Sequence, residues 1–280
     1  MADTPFVSTQ WLEEALGRSD VAIVDASWYL PGTDRDAEAE FTASHIPGAV
    51  FFDLDKIADQ HTALPHMLPT PEFFASVIGQ MGISEDMTIV IYDEAGLFSA
   101  PRVWWTFRAM GAKDVRILSG GGKRWREESR PLATGWPYPP PTQFKAAFDQ
   151  KRVADLAEVE AASKSGGQIL DARPAPRFAG EQPEPREGLR SGHIPSSRNL
   201  PASTLIENGE LISSSAILKA VTHAGIDPEQ PVITTCGSGV TAAILALALE
   251  TVGNGKVRVY DGSWADWGSH SDTEVATGNN

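Results

Sequence analysis

The 280-residue chain repeats itself, and the repeat limits its possible folds more than any other feature. The first half carries Val21-Ala-Ile-Val-Asp-Ala26 and then His45-Ile-Pro-Gly-Ala49. The second half carries Gln168-Ile-Leu-Asp-Ala172 and then His193-Ile-Pro-Ser-Ser197. The aspartates stand 146 residues apart and the histidines 148. A second strand-like run follows in each half, Thr88-Ile-Val-Ile-Tyr92 and Pro231-Val-Ile-Thr-Thr235. Each leads into a helix-like run and a third strand, Val115-Arg-Ile-Leu118 and Val257-Arg-Val-Tyr260. Short β-branched runs that alternate with helical patterns predict parallel βαβ units. Self-similarity at a fixed offset predicts two copies of one domain. We therefore expect an α/β chain of two tandem domains, each a parallel sheet flanked by helices. The expected limits are 5–133 and 153–270, with a linker over 134–152 and a flexible tail over 271–280. The linker opens on four prolines between residues 134 and 142, and the tail is polar.

The copies differ where chemistry would occur. In α/β units of this kind, sites lie at the carboxyl ends of the strands. There the first half has Asp93-Glu-Ala-Gly96, and the second has Cys236-Gly-Ser-Gly-Val-Thr-Ala242. Cys236 is the only cysteine. A lone cysteine is more often a buried structural residue. Here it sits between a strand and the helix-like run 242–250, where loop N–H groups and the helix dipole favour a thiolate. The flanking glycines let the backbone curl around the sulfur. We expect one site, at Cys236, with the first domain supplying part of its wall.

Composition excludes several functions. The formal net charge of −14 argues against nucleic-acid binding. The strongest apolar run, 242–249, is too short to span a membrane. Residues 1–6 lack a basic region followed by an apolar stretch, so no signal peptide is expected. One cysteine forms no internal disulfide, which fits a reducing, cytoplasmic compartment. No His/Cys cluster has metal-ligand spacing, and Ser119-Gly-Gly-Gly122 lacks the lysine-serine ending of a phosphate loop. Neither a metal nor a cofactor is expected.

Further segments stand out: Asp25-Ala-Ser-Trp-Tyr-Leu30, Phe51-Phe-Asp-Leu-Asp55, His66-Met-Leu-Pro69, Ser99-Ala-Pro-Arg-Val-Trp-Trp105, Glu184-Pro-Arg186 and Asp261-Gly-Ser-Trp264. With the paired His-Ile-Pro segments and the cysteine loop, the chain resembles the tandem rhodanese-type sulfurtransferases over nearly its whole length. The loop Cys-Gly-Ser-Gly-Val-Thr-Ala resembles that of the 3-mercaptopyruvate sulfurtransferases within that family. The resemblance implies two rhodanese-like domains, the first catalytically degenerate. It implies an enzyme that moves sulfur from 3-mercaptopyruvate through a Cys236 persulfide to a thiol or cyanide, releasing pyruvate. The acceptor it implies is thioredoxin or a small thiol.

The same resemblance assigns roles. Arg177 and Arg186 bind the keto acid, whose carboxylate suits a planar guanidinium. Ser238 passes a proton in a relay with His66 and Asp55. Gly237, Gly239, Val240 and Thr241 cradle the sulfur with their amides, and Thr241 is expected to cap the following helix or hydrogen-bond the loop. Read without the resemblance, the two arginines fit equally well as surface groups paired with Glu181, Glu184 or Glu187. Arg173 and Arg190 compete for the same role, His66 reads as a loop histidine, and Asp55 as a turn or cap carboxylate.

Two alternatives stay open: a thiosulfate:cyanide sulfurtransferase, and a non-enzymatic persulfide relay. Thiosulfate-using rhodaneses typically place basic side chains after the cysteine, where this chain has neutral Gly237 and Ser238. Related cysteine phosphatases need an arginine where this chain has Ala242. His45 and His193 recur in both copies, so they read as structural, each closing a loop by a buried hydrogen bond. Asp25 and Asp171 also read as structural, Trp104 and Trp105 as core, and Trp264 or Trp267 as a pocket wall.

Overall fold

The computed structural model describes residues 4–30 and 32–278, so the last two residues of the expected tail lie outside it. The chain divides into two compact units. The first holds Met1–Gln60, Leu68–Asp149 and Asn208–Glu210; the second holds His61–Met67, Gln150–Glu207 and Leu211–Asn280.

The first unit runs β1 (Phe6–Val7), α1 (Thr9–Ala15), β2 (Val21–Asp25), α2 (Ala37–Ala43), β3 (Ala49–Phe51), α3 (Pro71–Gln80), β4 (Thr88–Tyr92), α4 (Ala100–Ala109), β5 (Asp114–Leu118) and α5 (Gly121–Glu127). Its sheet has the order β1-β5-β4-β2-β3, with parallel pairing throughout. The two central strands, β2 and β4, read as near-continuous apolar runs because helices cover both faces of a parallel sheet. Leu12, Ile23, Phe41, Val90, Tyr92 and Trp125 form one buried cluster against that sheet. Trp104 and Trp105 are also core residues, each 1% exposed.

The second unit runs β6 (Val153–Ala154), α6 (Leu156–Ser165), β7 (Gln168–Asp171), α7 (Ala175–Phe178), β8 (Arg198–Asn199), β9 (Ile206–Glu207), β10 (Glu210–Leu211, whose first residue is counted with the first unit), α8 (Ser214–His223), β11 (Val232–Thr235), α9 (Ala242–Thr251), β12 (Val257–Tyr260) and α10 (Ser263–Trp267). Its five-stranded sheet has the order β6-β12-β11-β7-β8, again parallel. Strand for strand this repeats the first unit. Local signals start the helices: Asp155 and Glu158 form a capping box on α6, and Thr70 caps α3 with Pro71 in its first turn.

The two repeated histidines have one job in both units. His45 Nδ1 lies 2.8 Å from the Phe41 carbonyl, and His193 Nδ1 lies 2.8 Å from that of Phe178. Each imidazole stacks on that phenylalanine, at 4.1 and 3.8 Å between ring centres. Each backbone then makes a two-way bridge with a late segment of its unit, His45 with Ala133 and His193 with Ala276.

Two segments outside the expected domain limits, the tail and the linker, are tied down. Residues 271–278, expected as a flexible tail, are held by the Ala276 bridge, by the Trp267 indole on the Glu274 carbonyl (2.8 Å), and by Arg190 on the Thr273 carbonyl (2.7 Å). The Thr273 hydroxyl adds a bond to the Trp267 carbonyl at 2.6 Å, so polar side chains and backbone groups both make the contacts. The segment after the prolines is strapped to the first unit. Phe144 is buried against Phe74 and Phe107, and the N–H groups of Thr142, Ala147 and Asp149 donate to the carbonyls of Gly79, Met110 and Ala109.

Candidate active site

Cys236 opens the turn between β11 and α9. All of residues 242–249 are buried, so α9 is apolar on every side and locked into the core. Its first amides have no partner within the helix, which makes the preceding turn suited to an anion. Gly239 takes a φ of +78°, the left-handed conformation that bends the chain at this point. Cys236 itself is 2% exposed.

The turn after β12 clamps the cysteine from behind. The Cys236 N–H donates to Ser263 Oγ at 3.2 Å, and that hydroxyl donates to the Tyr260 carbonyl at 2.8 Å. The N–H groups of Trp264 and Ala265 donate to the carbonyls of Cys236 and Gly237, both at 2.9 Å. Ser263 is fully buried and holds a φ of +52°, a strained backbone for a residue with a side chain. Ser263 lies within Asp261-Gly-Ser-Trp264, and its role is not evident from the sequence. Its position at the end of the third strand, beside the cysteine strand, was the available signal.

His66 Nδ1 lies 3.1 Å from Ser238 Oγ, and the side chains are 6% and 7% exposed. His66 adopts a φ of +61°, and its segment His61–Met67 belongs with the second unit although first-unit chain flanks it. Asp55 belongs to the first unit, where its Oδ2 accepts the Trp28 indole N–H at 2.9 Å.

Arg177, on α7, reaches the cysteine turn: a Cβ on Gly237 would stand 3.0 Å from its Nη2. The same guanidinium pairs with Glu184, whose Oε1 lies 3.3 Å from Nε and whose Oε2 meets Nη2. Arg186 follows in a half-buried bend. The competing arginines are committed elsewhere. Arg173 is buried, grips Asp171 and Glu184, and lies 4.4 Å over the Trp264 ring. Burial works against its charge, but Asp171 and Glu184 outweigh burial and hold it above the usual range. Arg190 donates to the carbonyls of Trp267, Gly268 and Thr273.

Of the two bonds expected for Thr241, the side-chain capping bond is not made; its backbone is already helical, which turns its hydroxyl away from the cap geometry. Trp264 and Trp267 are 0% and 2% exposed and pack in the core with Val159, Ile169 and Tyr260. Among the described residues, no group of His, Cys, Asp or Glu is arranged to hold a metal.

In the first unit the matching turn holds a carboxylate. Asp93 accepts the N–H groups of Gly96, Phe98, Ser99 and Ala100 at 2.6, 2.8, 2.9 and 2.8 Å. Burial pushes this carboxyl above its usual range, against the pull of the four amides. The first copy thus plugs its own anion cradle.

The model of the rhodanese-like domain matches residues 8–128 and again 155–270. The chain belongs to the rhodanese-like family. Among family members it is 42% identical over 277 residues to the 3-mercaptopyruvate sulfurtransferase of Escherichia coli (strain K12), covering 98% of this chain and 99% of that one. It is 40% identical over 269 residues to the thiosulfate sulfurtransferase of Gallus gallus, covering 93% and 92%. The crystal structure of SseA from Escherichia coli superposes with a TM-score of 0.87 at 41% identity, over 94% of this chain and 99% of SseA. Both rhodanese-like domains are therefore present, and only the second carries a cysteine.

Proposed function

We propose that this protein is a 3-mercaptopyruvate sulfurtransferase. The thiolate of Cys236 attacks the substrate sulfur. The carbon–sulfur bond breaks, and its electron pair stays on carbon as the enolate of pyruvate. That carbon takes the proton that began on the substrate thiol, and Cys236 is left as an anionic persulfide. An acceptor thiol then takes the outer sulfur and restores the thiolate, a covalent two-step cycle.

The observation that carries this reading is the Ser238–His66 hydrogen bond beside the nucleophile. A keto-acid donor leaves a carbanion equivalent that must be protonated, whereas thiosulfate leaves as sulfite and needs no proton on carbon. A buried hydroxyl–imidazole pair two residues from the sulfur serves the first donor and is idle for the second. In this reading Ser238 delivers the proton, His66 orients and recharges it, and Asp55 completes the relay. Arg177 and Arg186 hold the carboxylate and keto oxygen. The amides of Gly237, Gly239, Val240 and Thr241 stabilise the persulfide.

A donor and a thiol acceptor follow from the chemistry; thioredoxin or a small thiol is the acceptor proposed. Among the described residues no helix is long and apolar enough to cross a membrane, and a cytoplasmic location is proposed from the single cysteine. The relative named as a thiosulfate sulfurtransferase supports thiosulfate as a second donor. Parallel steady-state rates with mercaptopyruvate and thiosulfate test the assignment. A higher kcat/KM for mercaptopyruvate is expected, and a higher value for thiosulfate would reverse it.

A further inference from the structure

Arg177 lies against the cysteine turn, and it does not stand alone. The side chain of Glu184 is 2% exposed and bridges two guanidiniums, Arg173 at 2.8 Å and Arg177 at ion-pair distance. Arg173 already has a full partner in Asp171, which it meets through Nε at 3.0 Å and Nη2 at 2.6 Å. One carboxylate is enough to neutralise Arg173. The charge of Glu184 is therefore available to Arg177. Two acids and two bases close a neutral row that starts in the core and ends beside Gly237, which itself carries no charge.

Glu184 also fixes where Arg177 sits. Its other partner, Arg173, is pinned by Asp171, by the Gly192 carbonyl at 2.9 Å and by the Trp264 ring. Trp264 in turn donates its backbone N–H to the Cys236 carbonyl. The arginine and the cysteine are thus referenced to one rigid group.

We propose that Glu184 is the residue that sets donor preference, by cancelling much of the Arg177 charge while holding its guanidinium at the cysteine turn. A keto-acid thiol carries one negative charge, and its planar carboxylate needs a placed guanidinium. Thiosulfate carries two charges and gains more from each added unit of positive potential. A neutralised but oriented arginine favours the first and handicaps the second. The inference rests on the mercaptopyruvate reading above.

Glu184→Gln keeps the shape and removes the charge; Glu184→Asp keeps the charge and shortens the reach. kcat/KM is measured for both donors, with cyanide as acceptor, in wild type and both variants. The ratio of thiosulfate to mercaptopyruvate should rise roughly three- to tenfold in Glu184→Gln, the scale of one partly solvated charge interaction. In Glu184→Asp the ratio should stay within about twofold of wild type even where both rates fall. An unchanged ratio in a folded Glu184→Gln protein overturns the proposal. So does an equal rise in Glu184→Asp, which would point to packing rather than charge. If Glu184→Gln does not fold, the triple variant D171N/R173M/E184Q removes the buried charges as a set and leaves Arg177 unopposed. The same rise is then expected, and its absence overturns the proposal. A wild-type protein inactive on mercaptopyruvate would instead sink the donor assignment, so the two failures read differently.

Discussion

The two units each place a turn at the end of the corresponding strand, β4 and β11, and fill it differently. After β4 the turn folds four amides onto its own Asp93 carboxylate. After β11 the turn carries a sulfur, with a hydroxyl–imidazole pair and an arginine brought to it. A cradle of this kind binds whatever anion is present. Where the chain supplies that anion permanently, the cradle becomes a structural joint. Where it supplies a thiolate, the anion can grow by one sulfur and shrink again. The strand-end aspartates show the same divergence. Asp171 has Arg173 two residues on; at the matching place Asp25 has Ser27, whose N–H bonds it at 2.9 Å. Burial raises the Asp25 carboxyl from 3.8 to about 6, against hydrogen bonds from Ser27 and Tyr92.

The comparison breaks most directly at the cysteine. Cys236→Ser should lower sulfur transfer by several orders of magnitude, as removal of a covalent nucleophile does, with the melting temperature close to wild type. Intact-protein mass spectrometry after donor treatment should show a gain of about 32 Da in wild type and none in the variant. Activity surviving in the serine protein would exclude the persulfide route.

Asp93→Ala should do the opposite: leave four amides without their buried partner and cost about 3–5 kcal/mol of stability. Urea unfolding measures it, and turnover per folded molecule should change little. A loss under about 1 kcal/mol would mean that water fills the cradle adequately.

The third test is pH. The folded Asp25 carboxyl keeps its proton to about pH 6, while the unfolded one releases it near 3.8. Between those values the native state binds more protons, so this group's contribution to stability falls as pH rises and is level above about 6. The drop amounts to about 3 kcal/mol. Asp25→Asn should flatten that part of the stability–pH curve, measured by chemical unfolding from pH 4 to 7. An identical curve in the variant would remove Asp25 from the account.

The smallest effects belong to substrate capture. Arg186→Ala should cost about 1.5–3 kcal/mol in kcat/KM, the worth of one charge-assisted hydrogen bond. Ser238→Ala should instead slow pyruvate release in single-turnover kinetics and leave donor affinity nearly unchanged. If both steps matched wild type, the Ser238–His66 pair would not be the proton source.

Much of this was legible without coordinates. The offset between Asp25 and Asp171 and between His45 and His193 located both copies, because strand runs and loop-closing histidines leave local patterns. The thiol at a strand–helix junction was legible for the same reason. The core packing of Trp264 and Trp267 was not legible, because a tryptophan after a strand looks alike whether its helix turns toward the site or onto the core. The bonds that hold residues 271–278 are not legible in the sequence, because a polar composition looks the same whether its groups meet solvent or the carbonyls of Trp267 and His193.

By itself, then, the amino-acid order determined the doubled parallel α/β architecture, the position of the nucleophile, and the replacement of that nucleophile by Asp93 in the first copy. These are questions of residue type and short-range spacing, which β-branched runs, turn glycines and a single cysteine answer locally. Tertiary structure alone decided which groups are brought together around that loop. His66 meets Ser238 across 172 positions of chain, Ser263 meets the Cys236 amide across 27, and Glu184 chooses Arg173 and Arg177 over solvent. The reason is electrostatic and steric. The strength of a charge or hydrogen bond depends on the burial and exact neighbours of its atoms, and those are properties of the packed fold that no local run of sequence carries.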